Sequence, residues 1–330
     1  MSENKLNENI TDKDPITSCC TPPVNFRPVI VQHSEISPET ASATDATRSM
    51  ISLSGGTFLM GTDYVGGFPA DGEGPVRPVS LSSFQIDTYP VTNADFAAFI
   101  DATGYLTEAQ NFGWSFVFWS HIPRERYQEL VEDTAAAAPW WCKVPGSFWK
   151  QPEGPGSSIG ERLTHPVVHV SWNDANAYVK WAGKRLPTEA QWEYAARGGL
   201  EQKLYPWGDD LTPDGQHRCN IWQGEFPVQD TAEDGYVGTS PVDAFSPNGY
   251  GIYSVTGNVW EWCADWFDRP SLSGGEILDP AGPSDGESKV MKGGSFLCHA
   301  SYCNRYRVAA RTSNTPDSSA SNIGFRCVRN

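Results

Sequence analysis

Apolar positions recur at helical spacing in three stretches of the chain. In TNADFAAFIDATG (92–104), Phe96, Phe99 and Ile100 share one face, Thr92 or Asn93 can cap the start, and Gly104 stops the run. In SWNDANAYVKWAG (171–183), Trp172, Ala175, Tyr178, Val179 and Ala182 repeat with the same period. The third helix is announced by Pro187, Thr188 and Gln191, a start signal with a capping box, and is ended by Gly198-Gly199. Elsewhere the pattern alternates. ISLSGGTFLMG (51–61) predicts two short strands around a Gly-Gly bend, and VSLSSFQIDTYPV (79–91) predicts another strand. VWEWCADWF (259–267), KVMKGGSF (289–296) and GFRCVR (324–329) predict three strands that close the chain. Residues 139–160 are too rich in Gly and Pro to predict regular structure. Residues 1–48 hold few large apolar side chains and predict a disordered or surface-strapped tail, followed by a domain over 49–330. Three helices among many short strands predict an α+β fold with much irregular surface.

Composition sharpens this picture. The 330 residues include 31 Gly, 25 Pro, 15 Phe, 13 Trp and 12 Tyr, which excludes long coiled coils and predicts a loop-rich fold around an aromatic core. A formal charge of −16 repels phosphate backbones, so no nucleic-acid partner is expected and a basic peptide suits the field better. No apolar run reaches membrane-spanning length, so no membrane role is expected. The polar start MSENKLNENITDKDP has no signal-peptide character and predicts a cytoplasmic address. In that reducing compartment the eight cysteines are expected as thiols, metal ligands or redox centres rather than disulfides.

The densest constellation of reactive residues is KGGSFLCHASYCNRYRVAAR (292–311). Cys298 and Cys303 stand five apart, with His299 between them and Arg305, Arg307 and Arg311 beyond. The spacing admits a small-loop disulfide, a two-thiolate site suited to Cu(I), a thiol activated by neighbouring Arg charge, or simply buried thiols. It is unusual for zinc. Glu261, among the aromatics of GNVWEWCADW, needs a cation or several donors, of which a metal ion is one solution and an Arg the commoner one. The loop 220–238 carries Asn220, Asp230, Glu233 and Asp234 without the spacing of a helix–loop–helix calcium motif. His165 and His169 are four apart, but Pro166 between them excludes a metal-binding helix. No GxSxG elbow, Walker loop or dinucleotide glycine turn is present, which argues against nucleotide-dependent chemistry.

Several longer blocks carry a resemblance. They are MGTD (60–63), HPVVHVSWNDANAYVKWAGKRLPTEAQWEYAARGG (165–199), YPWG (205–208), NIWQGEFP (220–227), PVDAFSPNGYGIYSVTGNVWEW (241–262) and GGSFLCHASYCNRYRVAARTSNTPDSSASNIGFRC (293–327). Together they make residues 50–330 resemble the formylglycine-generating enzymes of the sulfatase-modifying factor family. The resemblance implies a single domain of C-type-lectin-like fold with little regular secondary structure, and often a monomer. It implies O2-using oxidation of the cysteine in a Cys-x-Pro-x-Arg segment of an unfolded type I sulfatase to Cα-formylglycine. It implies one Cu(I) held by thiolates that match Cys298 and Cys303, with Ser295 as the active-site serine, and the Arg-rich stretch beyond Cys303 could then favour the thiolate forms.

Two structural Ca2+ ions are implied as well. The first matches the side chains of Asn220 and Asp234 and the carbonyls of Ile221 and Tyr236. The second matches Glu261 and the carbonyls of Gly257 and Val259, with Ser254 where the family usually has Asn. Where animal secretory members pair four cysteines, this chain keeps only Cys327 and has Val179, Ala196 and Val308 instead. Cys142, Cys219, Cys263 and Cys327 are then expected as buried thiols, while Cys19 and Cys20 lie outside the resemblance. Non-catalytic paralogues of the family lack the cysteine pair that stands here at 298 and 303.

Overall fold

A computed structural model describes residues 49–269 and 277–330. The expected tail over 1–48, with Cys19 and Cys20, lies outside the described residues. The chain begins with β1 (Met50–Leu53), β2 (Gly56–Met60), β3 (Arg77–Leu81) and β4 (Phe84–Asp87). Next come α1 (Asn93–Thr103), α2 (Glu108–Phe112), β5 (Trp114–Phe118), α3 (Tyr127–Leu130), β6 (Asp133–Ala135) and β7 (Ala138–Pro145). After α4 (Trp172–Trp181) and α5 (Glu189–Arg197) the chain forms only short strands. These are β8 (Gly224–Glu225), β9 (Gln229–Asp230), β10 (Trp260–Trp266), β11 (Ile277–Leu278), β12 (Lys289–Lys292), β13 (Arg311–Asn314), β14 (Ile323–Gly324) and β15 (Val328–Arg329).

The three predicted helices form where their caps place them. Thr92, Ser171 and Thr188 each accept from the N3 backbone N–H, and Asp95, Asp174 and Gln191 return the bond to the cap N–H. Gly104 and Gly198 close α1 and α5 in the left-handed conformation. Phe96 and Phe99 of α1 pack against Tyr178 of α4 at centroid distances of 6.0 and 5.6 Å, which joins the two helices into one aromatic core.

Two strand expectations are corrected. The alternation over 79–91 is not one strand. It breaks at Ser82, whose N–H and hydroxyl bind the Asp279 carboxylate at 2.8 and 2.6 Å. β3 then pairs with β2, whereas β4 crosses to a second sheet between β1 and β15. Residues 139–160 are also not all irregular, because β7 runs from Ala138 to Pro145 between β5 and β6. Its prolines stand near or at the strand ends, and Trp141, Cys142 and Val144 are buried. The closing strands are shorter than predicted: β12 stops at Lys292, and GFRCVR (324–329) is divided between the ends of β14 and β15.

The central sheet has the order β13-β12-β10-β14 and carries the chemistry-bearing segment at one end. Glu261 of β10 is opposite Lys292 of β12. Beneath this end lies a buried charge network. Lys292 Nζ lies 3.1 Å from Glu193 Oε2, and Glu193 Oε1 also takes Arg197 at 2.7 Å and the Gly61 N–H at 2.8 Å. Burial alone would raise the Glu193 pKa, but Lys292, Arg197 and the Gly61 N–H overcome it and hold the group at about 2. A depressed folded pKa gives stability that is present above the unfolded value of about 4.3 and is lost as pH falls toward 2. We expect Glu193→Gln to remove a contribution on the order of 3 kcal/mol at pH 7 and to flatten the stability loss between pH 5 and 2. Urea unfolding across that pH range measures it.

Candidate thiol and metal centre

β12 ends because Gly293 (φ 94°) and Gly294 (φ 75°) turn the chain through the left-handed region. A Cβ on Gly294 would stand 2.9 Å from Tyr306 Cα, so the turn packs directly on the segment that follows the second cysteine. Two bends then fold the five-residue spacing onto itself. The Cys298 N–H donates to Ser295 O at 2.9 Å, and the Cys303 N–H donates to His299 O at 2.8 Å. The outcome is a Cys298–Cys303 Sγ–Sγ separation of 3.3 Å, with both residues only 1% exposed. That separation is well beyond the roughly 2.05 Å of a disulfide, so the two sulfurs are not bonded to each other; Cys298 is a free thiol, whereas Cys303 is held in a disulfide of its own. The Ser295 N–H points at Cys298 Sγ from 3.4 Å, and Ser295 Oγ accepts from the Leu297 N–H and from Asn322 Nδ2. His299 turns away, its Nδ1 paired with Ser301 Oγ at 2.7 Å.

An aromatic wall stands beside Cys298. Tyr302 stacks on Phe226 at 4.6 Å and 14°, and Trp140 meets Tyr302 edge-on at 5.0 Å. Trp140, Trp141, Phe226, Tyr302 and Leu297 bound a small cavity into which Ser295 and Cys298 open. Sequence patterning assigns these aromatics to the core and gives no sign that they shape a site. Asn322 is likewise invisible in the sequence, being one Asn in a run of small polar residues.

The expectation that the Arg-rich stretch favours thiolates is corrected, because each of its charges is already matched. Arg305 pairs with Asp71 at 2.6 Å, Arg307 forks onto both Glu73 oxygens at 2.6 and 2.7 Å, and Arg311 forks onto Glu189 at 2.7 and 2.8 Å. The arginines act as clamps that fix the path of the chain beyond Cys303. Cys142, Cys219, Cys263 and Cys327 are buried free thiols, as expected, and burial pushes all four upward in pKa. His169 is fully buried between Ser115 Oγ and Pro152 O, both at 2.8 Å, and burial lowers it to about 4. Since the Pro152 carbonyl can only accept, Nε2 carries the proton and Nδ1 accepts from Ser115.

Among the described residues, no group of three or more His, Cys, Asp or Glu side chains could hold a metal. A metal among the described residues would be held by fewer than three such side chains, with other oxygens completing its ligands. The donor chemistry fits in two places. Two sulfurs in contact, with Cys303 released from its disulfide, suit a soft ion of low coordination number such as Cu(I). In the 220–238 loop, the Gln223 carboxamide N–H bridges the Ile221 carbonyl and Asp234 Oδ2, so two hard oxygens converge on one point. Asp234 also accepts from the Ile221 and Tyr236 N–H groups, both at 3.0 Å, and Asn220 lies buried beside them. That all-oxygen set suits Ca2+.

Glu261 has the commoner solution. Arg326 donates to its Oε2 at 2.6 Å and to its Oε1 at 2.8 Å, and Trp192 Nε1 donates to Oε2 at 2.7 Å. Its charge is therefore neutralised by a guanidinium, and Ser254 Oγ donates to Val242 O. The Glu261 side chain does not itself call for a cation, so the second calcium set fits less well than the first. The two loops nevertheless lie back to back: Gly257 bridges Asn220, and the Asn258 N–H donates to Asn220 O at 2.8 Å. Both also hold the thiol turn. The Trp222 N–H donates to Cys298 O at 3.1 Å, and the Phe296 N–H donates to Asn258 O at 3.0 Å.

Residues 36–330 match the family described as "Sulfatase-modifying factor enzyme 1-like domain". A Thermomonospora curvata protein named formylglycine-generating enzyme is 62% identical over 87% of this chain and 95% of its own length. A Streptomyces coelicolor protein of the same name is 56% identical over 88% of this chain and 92% of its own. The solved structure of PvdO from Pseudomonas aeruginosa aligns with a TM-score of 0.58 at 27% identity, covering 85% of this chain and 93% of that one. The chain is therefore a member of the formylglycine-generating, sulfatase-modifying factor family, with one domain of short helices and sheets joined by long irregular segments.

Proposed function

We propose that this protein converts the cysteine of a Cys-x-Pro-x-Arg segment in unfolded type I sulfatases to Cα-formylglycine, using O2 and one Cu(I) held by Cys298 and Cys303. The observation that carries the reading is the 3.3 Å approach of two buried sulfurs that are not bonded to each other, beside an aromatic wall. The names of the relatives at 62% and 56% identity support the activity and the sulfatase substrate. When bound, Cu(I) supplies the one-electron oxygen chemistry that side chains lack. The chain's own groups do the rest. Cys298 and Cys303 present soft donors, the Gly293-Gly294 turn fixes their facing, and the aromatic wall keeps bulk water from the reacting thiol. Ser295 stands at the wall of that cavity as a hydroxyl beside the incoming sulfur.

The Asn220, Ile221, Asp234 and Tyr236 set would hold a structural Ca2+, with Ser254, Gly257, Val259 and Glu261 as a weaker second set. Such an ion would stiffen the loop whose Trp222 N–H holds Cys298. A reducing cytoplasm suits a protein with four free thiols buried in its core. The net charge of −16 favours the Arg of the substrate segment.

The substrate claim is tested with a peptide containing Leu-Cys-Thr-Pro-Ser-Arg and a twin with Ala for Arg, each incubated with Cu(I)-loaded protein in air. Trapping of the new aldehyde with an aminooxy probe should label the first peptide and leave the second at least about tenfold behind, the loss expected for one charge-assisted contact. Equal labelling of both, or of neither, contradicts the assigned segment.

A further inference from the structure

Ser295 is fully buried, and its Oγ accepts two hydrogen bonds. One comes from the Leu297 backbone N–H at 3.3 Å and the other from Asn322 Nδ2 at 3.0 Å. A serine hydroxyl has two acceptor lone pairs and one proton. With both lone pairs filled, the proton is what it can still give. The cavity beside it is shared with Cys298, Trp140, Phe226 and Tyr302. Its walls are mostly aromatic, with the Tyr302 phenol, the Trp140 and Trp141 indoles and the thiol as their polar-bearing members, and a group entering beside Cys298 meets the Ser295 hydroxyl as a donor.

Asn322 is anchored away from the loop that carries the cysteines. It is fully buried, its backbone carbonyl accepts from the Trp260 N–H at 2.9 Å, and the next residue, Ile323, pairs with Trp260 in the ladder of β10 and β14. The central sheet therefore dictates where the carboxamide points. Its donor reaches Ser295 Oγ from outside the thiol loop.

We propose that Asn322 is a positioning residue: by donating to Ser295 Oγ it makes that hydroxyl an obligate donor to the thiolate of the incoming substrate cysteine. This rests on the cysteine-oxidising reading of the site. A hydrogen bond to a thiolate favours the deprotonated sulfur, the form that is nucleophilic and metal-binding. Changing Asn322 to Asp reverses the local logic, because a carboxylate only accepts and would draw the Ser295 proton to itself, away from the cavity.

The test is anaerobic binding of a fluorescent Cys-x-Pro-x-Arg peptide and its Ala-for-Cys twin to Cu(I)-loaded protein, where excluded O2 prevents turnover. The wild type should prefer the Cys peptide. Asn322→Asp should lose about tenfold of that preference, the worth of one hydrogen bond to a charged group, while its affinity for the Ala peptide stays within about twofold. Asn322→Ala should fall between the two. Ser295→Ala should lose the same preference as Asn322→Asp, and the double variant should lose no more than either alone, because the two residues act through one bond. The unchanged affinity for the Ala peptide shows that each variant is folded. Wild-type preference retained in Asn322→Asp overturns the proposal, as does an equal loss for both peptides, which marks a purely structural Asn. A wild type with no preference for the Cys peptide overturns the underlying function as well.

Discussion

Replacing Cys303 by Ser should abolish Cu(I) binding and turnover together. The pair offers two soft sulfurs in contact, and no His, Asp or Glu among the described residues completes a metal group with them. A hard hydroxyl in place of one sulfur leaves a single thiolate, which cannot retain a soft ion against ordinary competitors. Turnover should fall by about a thousandfold or more, the scale of losses when one member of a group acting as a unit is removed. Competition with a chromophoric Cu(I) chelator measures the binding, and aldehyde formation measures the turnover. Full copper affinity in Cys303→Ser would remove the two-thiol site from the account.

Glu261→Ala should be the most destabilising single change away from the thiols. Its carboxylate holds the Arg326 guanidinium and the Trp192 indole N–H, and all three side chains are buried. Removing it strands a buried cation whose side chain is 0% exposed and an unpaired indole donor. Breaking a buried pair from one side costs about 3–5 kcal/mol, or roughly 10 °C in melting temperature for a domain of this size. Glu261→Gln keeps an acceptor for Trp192 and should cost less. Calorimetry with and without a calcium chelator separates the two partners proposed for this carboxylate. A loss of the stated size that persists in chelator belongs to Arg326. A variant that melts like the wild type once calcium is removed would assign Glu261 to the ion instead.

Local signals carry α1, α4 and α5, miss the short α2 despite its Thr107–Gln110 capping box and Gly113 stop, miss α3, and fail for the long-range contacts. Thr92, Thr188 and Gln191 could be read as caps because capping chemistry acts over three residues, and the same holds for the Gly stops. The break at Ser82 could not be read, since its cause is Asp279, far along the chain. β7 was hidden by Pro139 and Pro145, which an edge or terminal position tolerates and a composition argument does not. The charges after Cys303 were visible, but their partners Asp71, Glu73 and Glu189 were not, so a series of clamps read as free positive field.

The site divides in the same way. The residues of 292–311 are compatible with a disulfide, copper, a reactive thiol or buried thiols, and only the family resemblance favours copper. Spacing alone could not show that turns at Ser295–Cys298 and His299–Cys303 bring the sulfurs to 3.3 Å. For Glu261 the elementary argument that a buried carboxylate more often finds an Arg than a metal described its side-chain contacts. Trp140, Phe226, Tyr302 and Asn322 were illegible, because aromatic and small polar residues acquire a role here only from what the fold sets beside them.

The account rests on copper-dependent oxygen chemistry at the thiol pair, and a staged single turnover tests it directly. Protein carrying one equivalent of Cu(I) is mixed with the Cys-x-Pro-x-Arg peptide under nitrogen, held, and then exposed to O2, with mass spectrometry at each stage. The account predicts intact thiol peptide until O2 is admitted, aldehyde peptide afterwards, and no conversion at any stage in metal-free protein. Aldehyde formed under nitrogen, or formed in air by protein stripped of copper, would contradict it.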